Sequence, residues 1–290
     1  MIIEIQAKTL LSHNTHPDPW FGIKYTMNIY RGCEHQCIYC DSRSECYGIE
    51  NFADILVKVN ALDLLENELP RKRVKGKIGT GSMNDPYMPV EKQYNLTGRA
   101  LEIIARCGFG VHVTTKSDLV LRDAGLLAAI GKGRVSVCFS ISTADDDLGK
   151  KVEPGAPLVS RRYQALKVLA EQGIQAGVCM MPILPFLEDS PENITAIVEK
   201  AAENGASFVV PWFGMSMRDR QREYYYTQLD RLFPGLRAKY EQAFGLHYEC
   251  PARWAERLAA RFHELCERYG LGTRVPVFTE TRTEKQPALF

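Results

Sequence analysis

The amino-acid sequence predicts an α/β protein, built as a partial (β/α)6 barrel of the TIM type with a C-terminal helical extension. The first observation behind this prediction is that segments with the two-residue period of strands alternate with segments that have the roughly 3.6-residue period of helices. The second is that six such strands precede residue 213, which is the pattern of parallel βα units. The third is a length of 290 residues, because a barrel domain typically takes about 250 residues.

The elements run from an N-terminal arm to a polar tail. Residues 1–23 show neither period, so we expect an irregular arm that packs on the barrel. The barrel is predicted over residues 24–214, and the helical extension over residues 215–278. Residues 279–290 are polar and are expected to form a flexible tail. The barrel strands are expected at 24–30, 76–81, 111–115, 134–141, 174–181 and 207–212. The barrel helices are expected at 53–68, 93–107, 123–130, 158–171 and 191–204.

Composition and charge exclude several classes of protein. Hydrophobic residues make up 45% and charged residues 24%, which is typical of a globular chain, and the formal net charge is only +1. The sequence therefore lacks the global basic field of an obligate nucleic-acid binder, although a local site for nucleic acid stays open. No apolar run approaches the roughly 18 residues of a membrane span, and the N-terminus does not read as a signal peptide. We therefore expect a cytoplasmic protein without a membrane partner.

Three closely spaced cysteines carry the strongest chemical signal. Cys33, Cys37 and Cys40 have the spacing C-x3-C-x2-C, with Tyr39 just before the last of them. Three thiolates hold three irons of a 4Fe-4S cube and leave the fourth iron open for another ligand. A zinc site is the alternative, but zinc sites normally use paired C-x2-C motifs or spaced histidines, and here only His35 lies within the loop. The nine cysteines, an odd number, also fit reduced thiols better than a disulfide framework.

The predicted strand 134–141 indicates a polar barrel interior. A set of small side chains, namely Ser136, Cys138, Ser140 and Ser142, alternates with apolar residues along this segment. Adjacent strand residues point to opposite faces, and helices normally cover the outer face of a barrel. We therefore expect the serines to line the lumen, which a partial barrel leaves wide enough for a cofactor. The alternative is an ordinary strand with a polar outer face.

The cysteine loop resembles the cluster loop of the radical S-adenosylmethionine (SAM) enzymes. Together with three other segments, it is similar to the spore photoproduct lyase-like branch of that family. The matching segments are Arg31-Gly32-Cys33, Cys37-Ile38-Tyr39-Cys40, Asn84-Asp85-Pro86-Tyr87, Thr115-Lys116-Ser117 and Arg122-Asp123. The resemblance implies a 4Fe-4S cluster whose open iron binds the amino and carboxylate groups of SAM. One electron from the cluster then cleaves SAM to methionine and a 5′-deoxyadenosyl radical.

The resemblance also implies roles for individual residues in SAM binding. Lys116, at the end of the third strand, corresponds to a lysine that contacts the SAM carboxylate. Ser142 or Ser140, near the end of the fourth strand, corresponds to a serine that contacts SAM. Tyr39, before the third cysteine, corresponds to an aromatic residue beside the adenine.

The loop after the second strand supplies further candidate SAM ligands. Its glycines allow close approach of the backbone, and the side chains of Ser82, Asn84 and Asp85 can bind the SAM amino group or ribose. Such a turn is weak evidence alone. Its position relative to the cysteines favours a binding role.

The same loop departs from the spore photoproduct lyases. Those enzymes return a hydrogen atom to the substrate through a cysteine here, where this chain has Ser82, Met83 and Asn84. Cys138 and Cys179, in the fourth and fifth strands, are candidate replacements in the catalytic role. Small buried packing residues are the alternative account of both cysteines.

The preferred function is radical chemistry on a damaged or modified base in nucleic acid, as in a DNA photoproduct lyase. One alternative is radical modification of a peptide or small molecule. Another is a non-catalytic iron-sulfur protein that senses redox state or binds a partner. The expected partners are SAM, an electron donor such as flavodoxin or ferredoxin, and DNA.

The chain ends in Gln286-Pro287-Ala288-Leu289-Phe290, which suggests one more partner. This segment resembles the Gln-x-x-Leu-Phe peptides that dock on the bacterial sliding clamp, except that a proline stands where leucine is common. A tail that folds back onto the barrel is the alternative, and short motifs often match by chance.

Overall fold

A computed structural model describes residues 1–16 and 18–276 of the chain, and its central element is an open parallel sheet. The strands are β1 (Ile2–Ile5), β2 (Leu11–His13), β3 (Ile23–Met27), β4 (Tyr30–Arg31), β5 (Ile55–Lys58), β6 (Lys77–Thr80), β7 (Gly110–Thr115), β8 (Val135–Ser140), β9 (Ala176–Met180), β10 (Phe208–Pro211), β11 (Gly214–Ser216) and β12 (Glu249–Pro251). The α-helices are α1 (Ala61–Glu68), α2 (Glu91–Tyr94), α3 (Leu96–Arg106), α4 (Ala124–Ile130), α5 (Asp146–Val152), α6 (Val159–Glu171), α7 (Pro191–Glu203), α8 (Asp219–Leu232), α9 (Leu236–Phe244) and α10 (Ala255–Tyr269).

The central sheet has seven strands in the order β10-β9-β8-β7-β6-β3-β2. Six of them, from β3 to β10, are parallel and stand in chain order, with helices in the connections. The seventh, β2, pairs antiparallel with β3 at one edge. The predicted partial (β/α)6 barrel is therefore confirmed. Since sequential parallel strands have their carboxyl ends at the same edge, the loops that follow them converge there.

The N-terminal region is more regular than expected. Residues 1–23 contain β1 and β2, and β1 pairs with β5 in a second sheet of order β1-β5-β4. The helix expected over residues 53–68 begins only at Ala61, because β5 occupies its first part. In β5, buried Ile55 and Val57 alternate with half-buried neighbours, which is the period of a strand. The short helix α5 was not expected from the sequence, and it begins at the capping carboxylate of Asp145.

The C-terminal extension combines helices with a small sheet. Strand β11 pairs antiparallel with β12, apart from the barrel sheet, so the expected boundary at residue 214 falls at the start of a strand. Helices α8, α9 and α10 confirm that the extension is mainly helical. The tail expected over residues 279–290 and the clamp-like motif lie outside the described residues. No helix in residues 1–16 or 18–276 combines the length and apolar character needed to cross a membrane.

Alternate residues of β8 belong to two different apolar clusters, as the sequence predicts. Val135, Val137 and Phe139 belong to the large core between sheet and helices. Cys138 belongs to a small cluster inside the barrel, together with Cys179, Phe208, Val210 and Val275. The small side chains of β8 therefore face the lumen.

A C-terminal segment, residues 271–276, joins the two edges of the open sheet. Beside β10, the backbone N–H of Val209 donates to Gly272 at 2.8 Å. Further along, the N–H of Val275 donates to the carbonyl of Trp20 at 3.1 Å, in the turn that connects β2 and β3. This segment and that turn therefore form a floor under the lumen, and the Val275 side chain is buried there.

The backbone at Gly32 positions the cysteine loop and provides a test of the fold. Gly32 has a φ of +78°, and a Cβ there would collide with the carbonyl oxygen of Asp54. We expect Gly32→Ala to lower the free energy of unfolding by about 1–3 kcal/mol, because both the left-handed backbone and the collision are unfavourable. Gly125→Ala is the matched control, since Gly125 lies in α4 with nothing within 4 Å of an added Cβ. It should stabilise the protein by up to about 1 kcal/mol. Denaturant unfolding measures both changes, and equal midpoints for the two variants would contradict the tight approach at Gly32.

Candidate active site

The three cysteines of the predicted cluster loop line one cavity of about 400 Å³ at the carboxyl ends of the strands. Cys33 and Cys37 are buried and Cys40 is half-buried, and all three are free thiols. Among residues 1–16 and 18–276, no three His, Cys, Asp or Glu side chains converge as one metal ion requires. A cubane cluster needs no such convergence, because each thiolate binds a different iron. The three cysteines therefore fit a cluster with one open iron.

Burial makes these thiols poor acids in the absence of a cation. It raises the pKa of Cys33 well above its usual value, raises that of Cys40 less, and raises that of Cys37 to about 12. Lys116 opposes the effect at Cys37 through its positive charge. A bound iron centre would supply the charge that stabilises thiolates here, so cluster binding should release protons.

The cysteine loop is held by His35. Its Nε2 lies 3.0 Å from Asp85 Oδ2, and its Nδ1 lies 3.1 Å from the carbonyl oxygen of Gly155. The backbone N–H of Gly155 donates to the His35 carbonyl at 2.9 Å. Only glycine fits at position 155, because a Cβ would collide with the Glu34 carbonyl oxygen. The loop is thus fixed from both sides before any cofactor binds.

Asp85 lines the cavity, but its carboxylate is used within the protein. Besides His35, it accepts hydrogen bonds from Thr115 Oγ1 at 2.7 Å and from the Lys116 backbone at 2.6 Å. Burial alone would raise the pKa of Asp85, yet His35 and these hydrogen bonds lower it to about 2. Asp85 therefore joins the cysteine loop to the end of β7, a positioning role that differs from the expected direct contact with SAM.

Lys116 lies at the cavity wall within a buried charge network. Its Nζ donates to Ser140 Oγ at 3.0 Å and lies 3.6 Å from Glu153 Oε1. The other oxygen of Glu153 pairs with Arg162 at 2.5 Å. Burial disfavours the charge on Lys116, but Cys37 and Glu153 outweigh it and raise the pKa of the lysine. Likewise Arg162 and Lys116 overcome burial and lower the pKa of Glu153.

Glu153 and Arg162 were not singled out from the sequence, although a signal was present. Arg162 lies in α6 four residues before Leu166 and seven before Leu169, so it falls on the apolar face of that helix. A charged residue on such a face implies a buried partner. The identity of that partner depends on the fold, because Glu153 precedes the helix in an irregular segment.

The sequence left open whether Ser140 or Ser142 contacts SAM, and the structure places these two serines differently. Ser140 lines the cavity beside Lys116. Ser142 is buried outside the cavity lining and donates to Glu188 Oε1 at 2.8 Å. Burial raises the pKa of Glu188 to about 8, so this contact joins a hydroxyl to a mainly neutral carboxyl at pH 7.

The remaining SAM-contact candidates take different positions. Ser82 is exposed at the cavity rim, and Asn84 lines the cavity but donates its amide to the Tyr30 carbonyl at 2.6 Å. The Tyr39 ring packs in a second apolar cluster, and its hydroxyl donates to Glu153. Among the described residues that line the cavity, Tyr39 is not found.

The cavity continues downward into the barrel lumen. Its lining includes the mainly apolar side chains of Phe21, Ile23, Cys179 and Met181, together with the polar Asn14 and Asp18. Cys138 lies behind this wall in the same small cluster as Cys179. Of the two candidate catalytic cysteines, Cys179 therefore reaches the cavity directly.

Comparison with known proteins gives two relatives and one solved structure of note. An uncharacterized protein of Mycobacterium tuberculosis is 30% identical over 273 residues, which cover 91% of this chain and 80% of that protein. A radical SAM Nalpha-GlyT isomerase of Pseudomonas phage M6 is 24% identical over 203 residues, covering 67% of this chain and 40% of the isomerase. Spore photoproduct lyase, solved in complex with dinucleoside spore photoproduct, matches with a TM-score of 0.72 at 17% identity, over 96% of this chain and 82% of the lyase. At this identity the lyase shows a shared fold.

The family assignment follows from the site and from these similarities together. The model of the radical SAM superfamily matches residues 27–201, a range that contains the cysteine loop and four of the six parallel strands, β6, β7, β8 and β9. Within that range, the three cysteines and Lys116 line one cavity. The chain belongs to the radical SAM superfamily.

Proposed function

We propose that this protein cleaves SAM reductively and directs the resulting radical at a damaged or modified base in nucleic acid. The observation that carries the proposal is a single cavity that contains the three cluster cysteines, Lys116 and the upper lumen. When bound, a 4Fe-4S cluster supplies the electron that splits SAM into methionine and a 5′-deoxyadenosyl radical. The chain's own contribution is to position SAM and substrate and to exclude water from the radical.

We infer that Lys116 holds the carboxylate of SAM. Its side chain is only 15% exposed, so a contact there is poorly screened by solvent. Among the described residues that line the cavity, Lys116 is the one Lys or Arg side chain, and it supplies a positive charge there. An incoming carboxylate would neutralise that charge. Ser140, which lines the cavity beside the ammonium group, is the better placed of the two candidate serines.

We further infer that Cys179 returns a hydrogen atom to the substrate radical. It is buried and lines the lumen, opposite Ser140 in the β8–β9 register. Cys138 is completely buried behind it, so direct contact with substrate is less accessible. This position would replace the donor cysteine that spore photoproduct lyases have after the second strand.

Two properties support a nucleic-acid base as the substrate. The cavity lining includes the aromatic ring of Phe21 and the apolar side chains of Ile23 and Met181, which suit a flat heterocyclic ring. The similar fold of spore photoproduct lyase holds a dinucleoside photoproduct in its solved complex. Radical modification of a peptide or small molecule is the alternative substrate class, and product analysis separates the two.

The proposal also names partners and a compartment. A reduced cluster needs an electron donor such as flavodoxin or ferredoxin, and a reducing compartment such as the cytoplasm. DNA is the proposed macromolecular substrate. Docking on the sliding clamp through residues 286–290 would recruit the enzyme to DNA despite a net charge of only +1.

The cluster prediction tests the enzyme itself. After anaerobic reconstitution, dithionite and SAM should yield 5′-deoxyadenosine, and an oligonucleotide with a thymine photodimer should give a product that the undamaged oligonucleotide does not. Cys37→Ala should abolish iron loading and SAM cleavage, because a three-cysteine site has no spare ligand. Cys46→Ala is the control, since this cysteine is exposed, and both properties should persist. Full activity of Cys37→Ala would contradict the cluster assignment, and absence of 5′-deoxyadenosine from the wild type would favour a non-catalytic protein.

The SAM carboxylate site gives a second prediction. Lys116→Met keeps the length of the side chain but removes its charge. A charge-assisted hydrogen bond typically contributes about 1.5–3 kcal/mol, so the Kd for SAM should rise by roughly 10- to 150-fold. The cluster absorbance should stay unchanged. Lys150→Met, at an exposed position in α5, should leave the Kd at the wild-type value, and an equal Kd for both variants would place the SAM carboxylate elsewhere.

The hydrogen-atom donor gives a third prediction. Cys179→Ala should keep 5′-deoxyadenosine formation but reduce the yield of repaired base by about tenfold or more, because the substrate radical then lacks its donor. Cys138→Ala is the matched control from the same small cluster and should keep most of the yield. Chromatography of the two products from one reaction measures both quantities. A larger loss of repaired base in Cys138→Ala than in Cys179→Ala would reverse the assignment.

A further inference from the structure

Four polar side chains cross the lumen beneath the candidate SAM site, and we call them the polar chain: Lys77, Ser136, His112 and Thr114. They come from the three adjacent strands β6, β7 and β8, with His112 opposite Ser136 in the register. Lys77 Nζ donates to Ser136 Oγ at 3.4 Å. Ser136 Oγ lies 2.8 Å from His112 Nδ1, and His112 Nε2 lies 3.1 Å from Thr114 Oγ1. None of the residues proposed above to contact SAM belongs to the polar chain.

The lysine at the lower end sets the direction of the hydrogen bonds. An ammonium group can only donate, and Lys77 also donates to the Pro276 carbonyl at 3.1 Å. Burial lowers the pKa of Lys77 to about 8, so at pH 7 the amine is still mainly charged. Ser136 therefore accepts from Lys77, which leaves its own proton free to donate to His112 Nδ1.

The hydrogen bonds keep the same direction of donation through the imidazole ring of His112. His112 is 1% exposed, and burial followed by the charge of Lys77 lowers its pKa to about 3, so the ring is neutral at pH 7. A neutral ring that accepts at Nδ1 carries its proton on Nε2. Phe21 stacks on the imidazole with centroids 4.6 Å apart, which holds the ring in place. His112 thus donates to Thr114.

Thr114 ends the chain at the cavity. Its oxygen accepts from His112, so its hydroxyl proton is available to another acceptor. It lines the cavity and is two residues before Lys116 on the same face of β7. Thr114 therefore lies one level deeper in the lumen than the expected SAM carboxylate site, in register with Cys138 of β8, and Phe21 lines the same cavity.

We propose that Thr114 donates a hydrogen bond to the substrate, and that Lys77, Ser136 and His112 orient it for that purpose. The matching ligand is a planar ring with apolar faces and a carbonyl oxygen at its edge, which describes a pyrimidine base. This inference rests on the proposed function, which places a base in the lumen. The oriented hydroxyl selects a carbonyl acceptor over an amino group at the same position.

Thymidine binding to the reconstituted protein with SAM at pH 7 tests the proposal. Thr114→Val keeps the shape but lacks the hydroxyl, and should raise the Kd for thymidine by about 3- to 10-fold, the usual effect of one hydrogen bond. Thr114→Ser should restore binding, and both variants should keep the Kd for SAM. Thr195→Val, at a half-buried threonine of α7 outside the cavity lining, is the matched control and should bind thymidine normally. Replacing the contacted thymidine carbonyl by a thiocarbonyl should abolish the difference between wild type and Thr114→Val, because sulfur accepts weakly.

The orienting role of the chain has a separate readout. Nitrogen NMR at pH 7 should show the Nε2-protonated tautomer of His112, with its signals identified by their loss in His112→Phe. In Lys77→Met the tautomer should become mixed and the Kd for thymidine should rise. If Lys77→Met does not fold, the wild-type tautomer and the Thr114 variants decide the question.

The outcomes that overturn the proposal are distinct from failure of the proposed function. If His112 is protonated on Nδ1, the hydrogen bonds of the polar chain run in the opposite direction. If Thr114→Val raises the Kd for SAM but not the Kd for thymidine, Thr114 contacts the cofactor and not the substrate. If the wild-type protein does not bind thymidine, the proposal that a base occupies the lumen is wrong. By contrast, if thymidine binding depends on Thr114 while the photodimer oligonucleotide is not converted, the photoproduct lyase-like activity is refuted. That result would still support the role of Thr114.

Discussion

The buried carboxylate of Asp85 is the interaction on which the candidate site depends. One side chain contacts the cysteine loop through His35 and the end of β7 through Thr115 and the Lys116 backbone. The two elements that must hold cluster and cofactor are therefore held to each other. A buried carboxylate with several donors is strongly favoured over one that lacks them, because an unpaired charge inside the protein is costly. The geometry of the cysteines is thus set by the protein, and a cofactor would bind into an arrangement that already exists.

A second buried carboxylate, Glu153, adjusts the charge of the cavity wall. It accepts from Tyr39 and lies between Arg162 and Lys116. Without it, two cations would stand close together at low dielectric, where Coulomb repulsion is strong. With it, each of the two cations has a carboxylate beside it. The raised pKa of Lys116 has the same origin, since Cys37 and Glu153 favour the charged amine more than burial disfavours it.

The open sheet leaves space for ligands, but its edge strands must be covered. Six parallel strands do not close on themselves, so the lumen has room for ligands, but the sheet also ends in two edges, at β10 and at β2. The segment 271–276 covers the β10 edge and meets the turn at Trp20, which encloses the floor. The polar chain then runs between that floor and the cavity. Its members satisfy one another's hydrogen bonds, and this allows a lysine and a histidine to be buried in an otherwise apolar cluster.

The sequence by itself determined the fold class, the six parallel strands, the cysteine loop and the inward face of β8. These follow from local periodicity and spacing, since side chains two residues apart in a strand share a face and a loop of eight residues keeps its cysteines together. Only the tertiary structure decided the pairings between distant residues. It placed Ser140 rather than Ser142 at the cavity, turned the Tyr39 hydroxyl onto Glu153, and used Asp85 to hold His35. It also made strands of β1 and β5, whose pairing joins residues far apart in the chain. Such choices depend on which side chains meet across strands and helices, and local periodicity contains no information about that meeting.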